Sequence, residues 1–246
     1  AMASSALVVI GNEILSGKIV DTNTPFLISE LRSLGVRLAE IAVVPDEVDR
    51  IAEAVRRVSA RNDYVFTSGG VGPTHDDVTM EGIAAAFSVQ IIRHQRLEAL
   101  LRGYYELQRL PLAERNLRMA DIPLGAQLLE GPDLRWPVVL MQNVFILPGI
   151  PEIFRRKFLA IRERFREAPF FLRRVYVRCD EGPIADPLEA VANRFPEVAI
   201  GSYPRMQPAE DGHRVLLTLE GKHEPSVQAA VEELLRQIAE HVIHST

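Results

Sequence analysis

Residues 63 to 87 constrain the fold more than any other part of the chain. They read as a short apolar strand, a glycine-dense turn and the start of a helix, centred on Thr67-Ser68-Gly69-Gly70-Val71-Gly72-Pro73-Thr74-His75-Asp76-Asp77-Val78-Thr79. Glycines 69, 70 and 72 let the backbone take positive φ and approach a ligand, and the following helix would aim unpaired N–H groups at it. That is an anion-binding shape. Yet Asp76 and Asp77 stand where the charge of the anion would sit. At an effective dielectric of about 20, two like charges roughly 4 Å apart repel by about 4 kcal/mol, whereas a helix terminus returns about 0.3–2 kcal/mol. A bridging cation resolves the conflict, so a divalent metal (Mg²⁺, Mn²⁺ or Co²⁺) is expected together with a phosphorylated small-molecule ligand.

The segments around this turn alternate short apolar runs with amphipathic ones, the pattern of a mostly parallel sheet covered by helices. Ala6 to Ile10 is a strand. Thr24 can cap a helix with Pro25 at its first position and Leu27, Leu31 and Leu34 on one face. Val36 to Val43 is the next strand, and Asp46 opens a helix with Val48, Ile51, Val55 and Val58 inward. Gln95 to Met119 reads as a helical excursion able to form a lid. Gln127 to Leu129, Val138 to Met141 and Val144 to Leu147 read as strands, the last two a hairpin about Gln142-Asn143. The helix after Pro151 has Ile153, Phe154, Phe158, Ile161 and Phe165 as its core face, with Arg155, Arg156, Lys157, Arg162 and Arg164 toward solvent. A first domain, 1–168, should end here. Residues 169–246 read as a small α+β domain: a strand Leu172 to Cys179, a helix Ile184 to Phe195, strands Val198 to Tyr203 and Val215 to Leu219, and a helix Pro225 to Val242. The fold class is therefore α/β, a three-layer domain with a mostly parallel sheet plus a smaller C-terminal α+β domain.

Composition excludes several roles. With a net charge of −5 and basic residues scattered along the helices, no nucleic-acid surface is expected. No apolar run reaches the ~18 residues of a membrane span, and the first five residues lack the basic and apolar regions of a signal peptide. Cys179 is the only cysteine, which rules out an internal disulfide and fits the reducing cytoplasm.

The candidate site residues each have a plainer alternative. Thr67 and Ser68 hydroxyls, the three glycines and Thr74 gather more donors and acceptors than a packing turn requires. Asp77 would either ligate a metal or cap the helix starting at Val78, which would leave Asp76 as the better ligand. Gly11-Asn12-Glu13 follows the first strand and should converge on the glycine turn at the same edge of the sheet. Glu13 and Asp21 could then supply oxygen ligands for a hard cation, a helix cap being the favoured alternative for Asp21. Asp46 is either a cap or a site residue. His75 is a phosphate contact, an acid or a plain surface histidine. Pro148-Gly149 would close one wall of a pocket or serve as a rigid connector. Trp136 would stack on a planar ring or pack under the hairpin.

Together these motifs resemble the MoaB/Mog-type molybdopterin-binding domain, on Gly11-Asn12-Glu13-Ile14-Leu15, Asp21-Thr22-Asn23, Val44-Pro45-Asp46-Glu47, the Thr67 to Thr79 segment and Leu147-Pro148-Gly149-Ile150-Pro151. More narrowly, the chain is similar to the N-terminal module of competence/damage-inducible protein A and, with Arg135-Trp136-Pro137 and Gly201-Ser202-Tyr203-Pro204, to the molybdopterin-binding-like part of eukaryotic FAD synthase. The resemblance implies a ligand over the carboxyl ends of the strands: molybdopterin in the cofactor-making relatives, a dinucleotide phosphoanhydride such as FAD or ADP-ribose, cleaved with a metal, in the closer ones. It also implies functional roles for Asp46 and Asp77 and a ligand cradle from Ser68 to Thr74. Asn12 departs from the Asp common before this Glu, which removes one charge. A homo-oligomer is expected, with the second domain in dimerisation or at the pocket rim. The alternatives to hydrolysis are a binding module without turnover and molybdopterin adenylation or metal insertion.

Overall fold

Ala6, Val8 and Ile10 of the first strand face one hydrophobic cluster, while Leu7 and Val9 face another. A strand buried on both faces belongs in the middle of a sheet covered by helices on either side. The structure, a computed structural model, describes residues 3–131 and 133–246. Ala1 and Met2, where the reading of the N-terminus begins, and Pro132 lie outside the described residues. In chain order the first unit runs β1 (Ser4–Ile10), α1 (Asn12–Leu15), α2 (Asn23–Ser33), β2 (Arg37–Val44), α3 (Val48–Ser59), β3 (Tyr64–Ser68), α4 (Thr79–Ala86), β4 (Ile91–Arg93) and α5 (Gln95–Leu107). It continues with α6 (Glu114–Leu117), β5 (Asp121–Pro123), β6 (Gln127–Leu129), β7 (Val138–Met141), β8 (Val144–Leu147) and α7 (Pro151–Ile161).

The six-stranded sheet has the order β2-β1-β3-β8-β7-β6. Strands β2, β1, β3 and β8 are parallel, and the β7–β8 hairpin adds the antiparallel partner. The chain leaves β1 toward β2 on one side and comes back past it to β3 on the other. Strand order therefore reverses between β1 and β3, and a crevice must open above their carboxyl ends. Helices α3 and α4 cover one face; α2 and α7 cover the other. On the second face, Phe66 stacks on Phe145 with ring centroids 5.4 Å apart, and Phe165 meets both edge-on at 5.0 and 4.9 Å. The geometry is the favoured one for aromatic clusters.

The hairpin turns where Gln142 takes φ 53°, and Asn143 anchors it by donating from Nδ2 to the carbonyls of Ser59 and Asn62 at 3.0 and 2.8 Å. Asn143→Ala leaves both carbonyls unpaired and should lower stability by about 1–2 kcal/mol. A urea midpoint that falls at constant slope would show it; an unchanged midpoint would mean that water replaces the side chain fully.

Several expectations need correction. Helix α2 begins at Asn23 rather than at Pro25, because Asp21 and not Thr24 is its cap: the Asp21 carboxylate accepts from the N–H groups of Asn23 and Thr24 at 2.9 and 3.1 Å. Neither Asp46 nor Asp77 caps a helix; α3 and α4 start at Val48 and Thr79 with no side-chain cap. The helical excursion is bracketed by a two-stranded β4–β5 ladder that three-residue strands could not announce. On α7, Ile153 is 39% exposed, while Lys157, expected in solvent, is only 8% exposed.

The second compact unit, Ala168–Thr246, runs β9 (Phe171–Val177), α8 (Ala185–Arg194), β10 (Ala199–Pro204), β11 (Val215–Gly221), α9 (Glu224–Gln237) and β12 (Val242–Ser245). Its four-stranded antiparallel sheet has the order β10-β11-β9-β12, the split β-α-β arrangement. The last helix therefore stops at Gln237, and Val242–Ser245 is a strand. Among the described residues no helix is long and apolar enough to cross a membrane.

Candidate functional site

The loops that follow β1, β2, β3 and β8 all lie at one edge of the sheet, because those strands run parallel. The glycine turn follows β3. Gly69 donates its N–H to the Leu147 carbonyl at 3.2 Å, and the first residue of α4, Thr79, holds the turn from behind. The Thr79 hydroxyl donates to the Gly69 carbonyl at 2.8 Å and its N–H to the Gly70 carbonyl at 3.1 Å. Gly69 and Gly70 take φ 107° and 62°, a region that glycine adopts without penalty. At position 69 a Cβ would lie 2.1 Å from the Ile10 carbonyl oxygen, so no other residue fits. With the carbonyls thus engaged, the N–H groups of Gly70, Val71 and Gly72 have no partner among the described residues.

A cleft of about 610 Å³ opens over this turn. Its walls bring together Glu13, Ser68, Gly69, Gly70, Gly72, Asp77, Pro148 and Gly149 from the predicted set. The remainder is mostly apolar, including Ile19, Val71, Met80, Met119 and Trp136. Asp77 turns back on its own loop: its carboxylate accepts the Thr74 N–H at 2.8 Å and the Thr74 hydroxyl. Arg118 ties the same loop to the helical excursion, donating to the Thr74 carbonyl at 3.2 Å and to Glu81 at 3.0 Å.

The other predicted residues lie off the cleft walls. Asp46 accepts the Asn12 N–H at 2.8 Å and so pins the loop that carries Glu13. The Asn12 side chain is exposed to solvent, so the charge it lacks is not missing from the cleft wall. Thr67 is wholly buried beneath the turn, and its hydroxyl has no partner among the described residues. Thr74 contributes by holding Asp77. Asp76 points outward, 3.9 Å from His75, whose side chain is almost fully exposed.

Residues 6–167 match the family described as "Probable molybdopterin binding domain". The chain belongs to this family. Behind the molybdopterin-binding-type domain, residues 169–246 match "FAD synthase, middle domain". The chain is 34% identical over 98% of its length to the "Probable FAD synthase" of Caenorhabditis briggsae, of which it spans 50%. It is 35% identical over 93% of its length to a protein of Archaeoglobus fulgidus, of which it covers 96%. Among solved structures, CinA of Thermoplasma acidophilum, a protein of unknown function, matches 67% of this chain and 98% of its own with a TM-score of 0.61 and 30% identity.

In this molybdopterin-binding-type cleft the donor set fits a hard divalent cation shared with a ligand. Glu13 and Asp77 line the same space, and such ions are often held by one or two carboxylates, substrate phosphate and water. Among the described residues no group of three or more acidic, His or Cys side chains could hold a metal ion, so phosphate oxygens would have to complete its coordination.

Among the cleft residues that sequence reasoning missed are Asn23 and Lys157. Asn23 is 4% exposed, and its Nδ2 donates to Ser68 Oγ and to the Gly149 carbonyl, each at 2.9 Å. A carbonyl can only accept, which fixes the amide orientation and leaves Oδ1 buried without a partner among the described residues. Its place in the Asp21-Thr22-Asn23 motif was the available signal.

Proposed function

We propose that the first unit binds the diphosphate of a nucleotide-containing small molecule, of the FAD or ADP-ribose type, and hydrolyses its phosphoanhydride with a divalent metal. The observation that carries this reading is the set of three N–H groups without a partner among the described residues, Gly70, Val71 and Gly72, in one cleft with the carboxylates of Glu13 and Asp77. Amides alone would suit any small anion, and carboxylates alone would repel it. The pair suits a phosphate that arrives with a cation. The glycine amides would take non-bridging phosphate oxygens and stabilise the charge that grows there as water attacks phosphorus. Glu13 and Asp77 would hold the cation, which would neutralise the phosphate and lower the pKa of a bound water. Water adds to phosphorus, the P–O anhydride bond breaks, and FAD would leave as FMN and AMP. Asp46 acts at one remove, by fixing the Glu13 loop through Asn12. The likeness to the "Probable FAD synthase" of Caenorhabditis briggsae supports the choice of dinucleotide.

Asp77→Asn keeps an oxygen for Thr74 and removes the charge. We expect a folded protein whose AMP release from FAD or ADP-ribose, with Mg²⁺, Mn²⁺ or Co²⁺, falls ten-fold or more, in line with about 1.4 kcal/mol per decade. Wild-type rates in the variant would reduce Asp77 to a loop staple. Ligand uptake by the wild-type chain without AMP would favour a binding module.

A further inference from the structure

Among the described residues that line the cleft, Lys157 is the only cation. Its Nζ donates to the Pro137 carbonyl at 2.7 Å, and no carboxylate among the described residues stands within ion-pair distance. An ammonium buried without a countercharge destabilises a fold by several kcal/mol, and burial here pushes its pKa down to about 8. Nothing in the packing of α7 needs the charge, since Phe154 and Phe158 on the same helix are wholly buried apolar side chains. A partner from outside the chain would give it a use.

The strand order places that partner. Pro137 precedes β7 and the glycine turn follows β3, with β8 between them. Two strand spacings separate the two ends of the cleft, about 10 Å. At the Lys157 end, beside Pro137, the walls include Trp136, half-buried, and Val139. This end offers an indole ring, apolar side chains and one N–H donor, which is a setting for a planar ring rather than for a second bare phosphate. Asn23 stands at the other end, bonded to Ser68 and Gly149 beside the glycine turn.

Resting on the diphosphate reading above, we propose that Lys157 is a specificity-determining residue that donates from Nζ to a carbonyl oxygen of a planar oxo-heterocycle, of the flavin or pterin kind, carried on the phosphate that the glycine turn holds. Such rings carry carbonyl acceptors on their edge, which matches a donor at Lys157. A ligand that ends in plain ribose leaves Lys157 unused.

Calorimetric titration of the full chain with FAD and with ADP-ribose, Ca²⁺ standing in for the catalytic cation, tests this. Lys157→Met is expected to weaken FAD by about ten-fold or more, the loss of one charged hydrogen bond, and to leave ADP-ribose within about two-fold. Lys157→Gln keeps a donor and should fall between, which also covers the case of a Met variant that fails to fold. An equal loss for both ligands would assign Lys157 to phosphate or adenine and overturn the proposal, as would no loss for either. Wild-type protein that takes up neither compound would instead sink the diphosphate reading, and this inference with it. Selective loss for FAD with an undiminished melting temperature supports both.

Discussion

Alanine at position 69 should abolish uptake of phosphorylated ligands and lower the stability of the first unit by about 3 kcal/mol or more. Two penalties combine. A non-glycine residue at φ 107° is strained by about 1–3 kcal/mol. The new methyl would also sit 2.1 Å from the carbonyl oxygen of Ile10, which ends the central strand β1 and is fixed by strands on both sides. The turn must therefore move, and with it the hydrogen bond from Gly69 to Leu147 and the clamp by Thr79. Gly70→Ala makes the informative contrast. There φ is 62°, which non-glycine residues tolerate better, and the close atom is the hydroxyl of Thr79, a side chain that can rotate at the loss of one hydrogen bond. Its effect on folding should be smaller, while ligand uptake still suffers. Urea denaturation followed by titration with ADP-ribose decides the matter. A Gly69→Ala protein as stable as its parent and binding normally would mean that the turn does not have this shape.

What the residues announced and what they hid divide along a physical line. The glycine turn, the flanking strands and the β7–β8 hairpin were legible because each rests on local chemistry: positive-φ residues, apolar runs and a two-residue loop. The convergence of Glu13 on the turn was legible as well, since parallel strands deliver their loops to one edge. The partners of the acidic side chains were not. Asp46 bonds a residue 34 positions away and Asp77 reaches back to Thr74, although both stand just ahead of helices and invite a capping role. Asp21, by contrast, does cap. Short strands such as Ile91–Arg93 and Val242–Ser245 take their pairing from neighbours far along the chain, and three or four residues carry too little pattern to show it. Lys157 was hidden for another reason. Helical periodicity marks it as charged and hence outward, but its apolar stem can lie along the wall of α7 while the head crosses to Pro137.

The ligand-free protein should show the burden of that lysine in its pH dependence. Burial lowers the pKa of Lys157 from an ordinary 10.5 to about 8. Below pH 8 both folded and unfolded chains carry the proton, and the folded state bears the full penalty, about 3 kcal/mol at 1.36 kcal/mol per pKa unit. Between about pH 8 and 10.5 the folded state sheds the proton while the unfolded state keeps it, so this contribution to stability rises with pH. Lys157→Met removes the titration altogether. The stability of the variant relative to the parent should therefore be greatest near pH 7 and decline by about 1 kcal/mol by pH 9, whatever constant offset comes from the lost hydrogen bond to Pro137. Denaturant midpoints of the two proteins at pH 7, 8 and 9 supply the comparison, and a difference that stays flat would place the ammonium in water. The same pKa leaves the group mostly protonated at neutral pH. An ammonium that destabilises the empty cleft and is charged when ligand arrives can return part of that penalty on binding, so its cost to the fold and its use to the site have one origin.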